Sequence, residues 1–452
     1  MKRKRSELRD EARQALQDAV TNRLSVERKE RRTLPVIDQQ LAAMTDFGTL
    51  PGVHEIGLQR AFGTVVGLSN PFFRVHETRA GATTIIGGRT YDNYSSYDYL
   101  GLNGHAEVHS AAARAIEQYG TSCSASRLVA GERPLHGELE AALAAHYQQQ
   151  ACLVFVSGHA TNVSSIGTLL GPKDLIVHDS LAHNSIVMGG TLSRAERRFF
   201  PHNDLDALDD ILISSRHRHE RVLIAVEGLY SMDGDFPDLA RLVEIKRRHA
   251  TWLMVDDAHG LGVLGDTGAG VFEHAGVDPH DIDIWMGTLS KTLSGCGGYI
   301  AGPSILVEYL KFVAGGFVFS VGMSPPLAAA AITALGIMHR EPERVARLHR
   351  NSQRFSERAR AADLDIGTSA ARAVIPVVTH NSLIAIALGQ KLFDRGINVQ
   401  PIIPPAVPER SARLRFFLTS EHTELQIDRT IDAIVEARAE IGDGRSILAP
   451  AH

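Results

Sequence analysis

Residues 282–302 read IDIWMGTLSKTLSGCGGYIAG, and their reading decides the fold class. An apolar, strand-like run, Ile282–Met286, leads into Gly287. Hydroxyls at Thr288, Ser290 and Thr292 then flank Lys291, and a Gly-rich stretch follows at once. A lysine placed between hydroxyls, straight after a buried-type strand, is poorly explained as a solvated surface charge. Four other short apolar runs resemble the one that precedes it: Cys152–Val156, Leu175–Val177, Val222–Val226 and Trp252–Val255. Helical patterns such as HGELEAALAAHYQQQ (136–150) alternate with them. Strand, helix, strand repeated over this length predicts an α/β fold with a mostly parallel sheet covered on both faces. Such sheets place ligand-binding groups at the carboxyl ends of their strands.

Outward from this core the chain divides into four predicted segments. Residues 1–50 form a charged, helical N-terminal arm. Within 1–33 there are eleven Lys or Arg and six Asp or Glu, a basic excess in a chain of net charge −5. The arm reads either as a solvated or partner-packed helix or as a handle for an acidic partner such as an acyl-carrier protein. Residues 51–105 form a β-rich segment, with Phe72–Val75 and Thr83–Ile86 expected to pair as a hairpin about Gly81. Residues 106–340 form the large domain. Residues 341–452, with a long helix from about Pro326 leading in, form a smaller C-terminal α/β domain. The acidic balance argues against nucleic acid as the main partner, and no apolar stretch approaches the roughly 20 residues that span a bilayer. Three cysteines make neither a disulfide framework nor a spaced metal-ligand set. The expectation is a cytoplasmic enzyme.

Lys291 should have partners if it is chemically active. Lysine is the nucleophile for imine formation, and burial lowers its pKa. Here it suits a phosphate-bearing aldehyde cofactor. The strand Trp252–Val255 ends in DDAHG (256–260). An acid at a buried strand end needs a cation, and a protonated pyridine nitrogen is one. Asp256 is the candidate, with His259 within reach of a ring oxygen; the alternative is a strand-end turn in which Asp257 caps the next element. VSGHATN (156–162) breaks a strand at glycine into a helix start, where amides of Ser157, Gly158 and His159 suit a phosphate. His183, after the next strand, is placed to stack on a flat ring, and Ser231 to donate to its oxygen. Arg413 and Arg415 share one face of a strand-like run, and one of them is suited to clamp a substrate carboxylate. The pattern GLGVLG (260–265) fits a dinucleotide fingerprint, but DTGAG after it does not open the required helix.

Together these residues resemble the α-oxoamine synthases, a pyridoxal-phosphate family, in nine blocks between about Tyr94 and Ile427. Among them are SYDYLGLNGH, FVSGHATN, DSLAHNSI, EGLYSMDGD, LMVDDAHGLGVLG and GTLSKTLSGCGGYIAG. The resemblance implies the fold type I aminotransferase architecture, pyridoxal 5'-phosphate as cofactor, and a homodimer with shared active sites. It implies that Lys291 holds the cofactor and moves a proton, that Asp256 pairs with the ring nitrogen, and that His259 and Ser231 contact the ring oxygen. His183 stacks on the ring, while Thr288 and the Ser157–Gly158–His159 turn bind phosphate. Arg415, rather than Arg413, binds the carboxylate, with Tyr97 also at the substrate. Ser320 is the hydroxyl expected to reach a neighbouring subunit's phosphate. Tyr97–Gly101 and Phe319–Pro326 are similar to serine palmitoyltransferase patterns. The implied reaction joins a small amino acid to an acyl thioester of coenzyme A or a carrier protein. An aldolase or aminotransferase on the same fold is the alternative.

Overall fold

The computed structural model describes residues 44–54, 56–57 and 69–442. The basic excess of residues 1–33 lies outside the described residues. The described residues fall into two units, divided between residues 69 and 70. In the first, a tight helical turn, Phe47–Thr49, is capped by Asp46, which accepts from the Gly48 amide at 2.8 Å.

The second unit is built on a seven-stranded sheet in the order β3-β9-β8-β7-β6-β4-β5. Its strands are β3 (Ala151–Phe155), β4 (Leu175–Asp179), β5 (Glu196–Phe200), β6 (Val222–Glu227), β7 (Trp252–Asp256), β8 (Ile284–Thr288) and β9 (Gly298–Gly302). The pairs β8/β7, β7/β6, β6/β4 and β4/β5 are parallel, while β9 runs antiparallel to both β3 and β8. The mostly parallel sheet is therefore as expected. The glycine-rich stretch after Lys291 also hides a strand, β9, that its composition did not announce. Gly298 is there because the backbone has no room: an added Cβ would stand 2.5 Å from Thr161 Oγ1 and 2.7 Å from Gly158 Cα.

Side chains alternate across the sheet, as the pleat requires. Ile284 and Met286 of β8 join a core with Leu153, Phe155, Ile176, Leu223 and Met254. Trp285, between them, faces the other way onto Tyr147, with ring centroids 5.0 Å apart, and is fully buried. Strand β8 begins two residues later than the apolar run suggested, because Ile282 and Asp283 belong to the approach to the sheet.

Two small sheets complete the unit. One has the order β1-β2-β11, from Thr83–Ile86, Arg89–Asn93 and Ile397–Asn398. The hairpin is thus formed by Thr83–Ile86 with Arg89–Asn93, not with Phe72–Val75 as expected. Gly87 and Gly88 make the turn at φ +57° and +72°, where glycine is at ease, so the chain reverses there rather than at Gly81. The other sheet has the order β10-β13-β12, from Val374–Val378, Arg413–Phe417 and Gln400–Ile402. Long helices Pro325–Arg340 and Glu343–Ala361 precede it, and Glu424–Ile441 follows. The GLGVLG segment lies in turns between β7 and a five-residue helix, Val271–Ala275, so no strand-to-helix fingerprint is formed. Among the described residues no helix is long and apolar enough to cross a membrane.

Candidate active site

The carboxyl ends of β3, β4, β6, β7 and β8 converge on a cleft of about 400 Å³, and Arg415 of β13 reaches into the same space. Lys291 lies three residues beyond β8, partly buried, with Nζ 5.8 Å from the centre of the Tyr97 ring. Burial pulls its pKa down to about 8, against the opposing pull of Asp256 and Glu227. About one tenth of this amine is therefore uncharged at pH 7, far more than for a lysine in water.

Asp256 closes β7. Its Oδ2 accepts from Asn162 Nδ2 at 2.8 Å and its Oδ1 from the Ala258 amide at 3.1 Å. Asn162 also donates to Ser185 Oγ at 2.9 Å, and Ser185 in turn lies 2.6 Å from His183 Nδ1. His183 caps the helix Asn184–Ser193, taking the Ser185 amide at 3.3 Å. That bond needs a lone pair on Nδ1, so the ring proton sits on Nε2. Crowding by protein, with Lys291 and His159 adding repulsion, lowers the His183 pKa and keeps the ring neutral. His259 is fully enclosed, 2.6 Å from the Tyr99 hydroxyl, and its pKa falls well below the usual value because of burial first and Lys291 second.

Ser157 caps the helix Gly158–Leu169, its hydroxyl accepting the Ala160 amide at 3.4 Å. A Cβ on Gly158 would stand 3.0 Å from Thr288 Oγ1, so glycine keeps the helix start open to the cleft. Thr288 donates its own proton to the Gly297 carbonyl at 2.9 Å and lies 3.0 Å from Ser290 Oγ. On the far wall, Arg415 donates to the Ser231 carbonyl at 3.0 Å and packs 4.6 Å over the Phe417 ring, while its buried Nε has no partner. Arg413, on the same strand face, is committed elsewhere: it pairs with Asp233 at 2.6 Å and donates to the Met232 carbonyl at 2.9 Å.

The cleft thus brings together Lys291, Asp256, His259, His183, Ser157, Gly158, His159, Ser231, Thr288, Arg415 and Tyr97. Ser320 is not among its lining. It sits in a separate depression with Ser124, Ser126, Val129 and Phe319. Sequence reasoning missed three residues that matter here, Asn162, Ser185 and Glu227, and noted Ser290 only as a hydroxyl beside Lys291. The first two look like ordinary helix residues until the fold sets them beside Asp256. Glu227 ends β6 directly opposite Asp256 in the strand register. Its Oε2 accepts the Ser231 amide at 3.2 Å, its Oε1 has no partner, and burial plus the neighbouring Asp256 raise its pKa to about 8. The signal was present in the sequence as an acid at the end of an all-apolar strand, the same pattern that drew attention to Asp256.

The family model for aminotransferase class I and II matches residues 92–434. The 8-amino-7-oxononanoate synthase of Geobacter sulfurreducens is 39% identical over 398 residues, covering 87% of this chain and 98% of the relative. The chain belongs to the aminotransferase class I and II family, in its α-oxoamine synthase branch. Two solved serine palmitoyltransferases superpose closely. That of Sphingomonas wittichii gives a TM-score of 0.83 at 30% identity, covering 88% of this chain and 99% of the other. That of S. paucimobilis, which carries pyridoxal phosphate, gives 0.84 at 28% with the same coverage. The family is one of pyridoxal-phosphate-dependent enzymes, and the donor set of this cleft fits that cofactor. An acid for a pyridinium nitrogen, an open helix start for a phosphate and a lysine with a lowered pKa all face one space.

Proposed function

We propose that the protein catalyses the decarboxylative condensation of a small amino acid with an acyl thioester, yielding an α-amino ketone, carbon dioxide and free thiol. The observation that carries this reading is that Lys291, Asp256 and Arg415 share one cleft, and that the buried Arg415 Nε has no hydrogen-bond partner. Bound pyridoxal phosphate supplies an electron sink for negative charge developing at the amino acid Cα. Asp256 holds the ring nitrogen protonated, steadied by Asn162. Gly158 and its neighbours at the helix start receive the phosphate. Arg415 grips the amino acid carboxylate, which orients the Cα–H bond and later the bond to the departing carbon dioxide. Lys291, uncharged in part near neutrality, takes the Cα proton and returns one after decarboxylation. Neutral His183 and His259 flank the ring without adding positive charge that would compete with Asp256.

The assembly that suits this reading is a homodimer. Phe319 and Val129, 89% and 82% exposed, flank Ser320 in an apolar depression that a second copy of the chain is suited to cover. Ser320 then supplies a phosphate contact that one chain alone lacks. The acyl donor is a thioester of coenzyme A or of a carrier protein.

The test is to supply the cofactor-loaded enzyme with glycine, L-alanine or L-serine and a series of acyl-coenzyme A thioesters. Thiol and carbon dioxide should appear in equal amounts and only when both substrates are present. Lys291→Ala should abolish both. Keto-acid or aldehyde products without thiol release would assign a transamination or an aldol cleavage instead, and undiminished turnover by Lys291→Ala would remove the lysine from the chemistry.

A further inference from the structure

Outside the cleft, His202 sits between two carboxylates. Its Nδ1 is 3.0 Å from Asp179 Oδ1, and its Nε2 is 3.0 Å from Asp235 Oδ2. A neutral imidazole has one N–H and can donate to only one of two ionised carboxylates, so this geometry suits the imidazolium, with Asn203 Nδ2 a further 3.3 Å neighbour of Nε2. Burial opposes the charge, but hydrogen bonds to Asp179 and Asp235 outweigh it and raise the pKa to about 10. Asp179 ends β4 and is anchored independently, accepting the Leu181 amide at 2.7 Å and the Asn203 amide at 2.9 Å. One end of the bridge is therefore fixed in the central sheet.

The other end is fixed to a turn. Residues 230–235 fold back on themselves, with the Tyr230 amide donating to the Asp235 carbonyl at 2.8 Å and the Gly234 amide to the Tyr230 carbonyl at 2.9 Å. Thr368 donates to Asp235 Oδ2 at 2.6 Å, and the Ala370 amide donates to the Gly234 carbonyl at 3.0 Å. A Cβ on Gly234 would stand 2.0 Å from the Val374 carbonyl, so the turn is pressed against β10. This turn presents the Ser231 carbonyl and Met232 Sδ, at 3.0 and 3.2 Å, to one terminal nitrogen of Arg415. It also holds Arg413 through Asp233 and the Met232 carbonyl.

We infer that His202 is a positioning residue for amino acid binding: as an imidazolium bridging Asp179 and Asp235, it sets the turn that aims Arg415 into the cleft. The inference rests on the reading of Arg415 as the carboxylate clamp. His202 does not touch the cleft, and its effect is carried by the turn.

The experiment compares cofactor-loaded wild type with His202→Asn, Asp235→Asn and Arg415→Lys. Glycine, L-alanine and L-serine are titrated against each, with the cofactor's visible absorbance as the readout, and steady-state kinetics follow. His202→Asn cannot bridge both carboxylates. It should weaken amino acid binding roughly tenfold, the scale of losing one charge-assisted hydrogen bond. The KM for the thioester and the cofactor absorbance of the free enzyme should be unchanged. Asp235→Asn removes one charge, leaves the Asp179–His202 pair intact, and should weaken amino acid binding in the same direction. The double variant of His202→Asn with Arg415→Lys should lose less than the product of the two single losses. If Arg415→Lys weakens amino acid binding but both bridge variants bind normally, the positioning role is overturned and the clamp stands. If Arg415→Lys itself binds normally, the clamp reading fails. A His202→Asn loss shared equally by amino acid, thioester and cofactor marks a merely structural role and also overturns the inference.

Discussion

Lys291 shows how one residue's chemistry is made by its surroundings. In water its amine is almost fully charged at neutral pH; in the cleft, burial brings its pKa to about 8 in spite of two nearby acids. The apoenzyme should therefore recapture pyridoxal phosphate faster as pH rises through about 8, and level off above it, since only the uncharged amine is nucleophilic. Stopped-flow absorbance of cofactor uptake between pH 6 and pH 10 checks this. A rate independent of pH across that window would show that the amine is not the titrating group. Arg413 and Arg415 make the complementary point: two identical side chains on one strand face differ because Asp233 engages the first and leaves the second for the cleft. The buried Nε of Arg415 has no partner, whereas that of Arg413 donates to the Ser411 carbonyl at 2.8 Å.

At the scale of elements, the site depends on register and on close backbone contact. Parallel pairing of β6 with β7 sets Glu227 opposite Asp256. The two acids differ in surroundings. Asp256 takes hydrogen bonds from Asn162 and Ala258, while Glu227 keeps a free oxygen and holds its proton to about pH 8. Neighbouring like charges at a buried site are expected to divide in this way. The helix Gly158–Leu169 can approach β9 only because Gly298 lacks a side chain. Gly298→Ala should push the helix start and the strand apart, costing about 1–3 kcal/mol of stability by overpacking, and should loosen the phosphate seat. Denaturant unfolding and cofactor retained after dialysis should both fall. Unchanged retention would mean that the helix start does not hold the phosphate.

Across the whole molecule, the His202 bridge ties the central sheet to the turn against β10. Its pKa is raised from the ordinary 6.5 to about 10, so its contribution to stability is full below about pH 6.5 and is lost as pH rises through about 10. The stability advantage of wild type over His202→Asn should therefore be largest in mild acid and shrink steadily towards pH 10. Urea unfolding at a series of pH values measures it, and an advantage that grew with pH would show that the imidazole is neutral in the folded protein. Much of this architecture was readable beforehand. Short apolar strands alternating with amphipathic helices marked a parallel sheet, and an acid, a lysine and glycine-rich turns at strand ends marked where ligands would bind. Strand β9 escaped notice because its glycines and small residues lower its apparent strand character, although every one of its residues is buried. The hairpin forms at Gly87–Gly88 rather than at Gly81 because a glycine pair can take the two successive left-handed conformations that a two-residue turn needs.

The amino-acid sequence by itself determined the fold class and singled out a lysine, an acid at a strand end and a helix-opening turn that share one cleft, because these depend on local periodicity and on residue types that few other settings explain. Tertiary structure decided which of two arginines faces the cleft, that Asn162 and Ser185 steady Asp256, that Glu227 stands beside it, and that Ser320 lies apart from the cleft of its own chain. Those outcomes arise from contacts between residues as much as 184 positions apart in the chain, as between Arg415 and Ser231. No local pattern encodes such contacts, because the energy that selects them exists only when the strands and helices have packed.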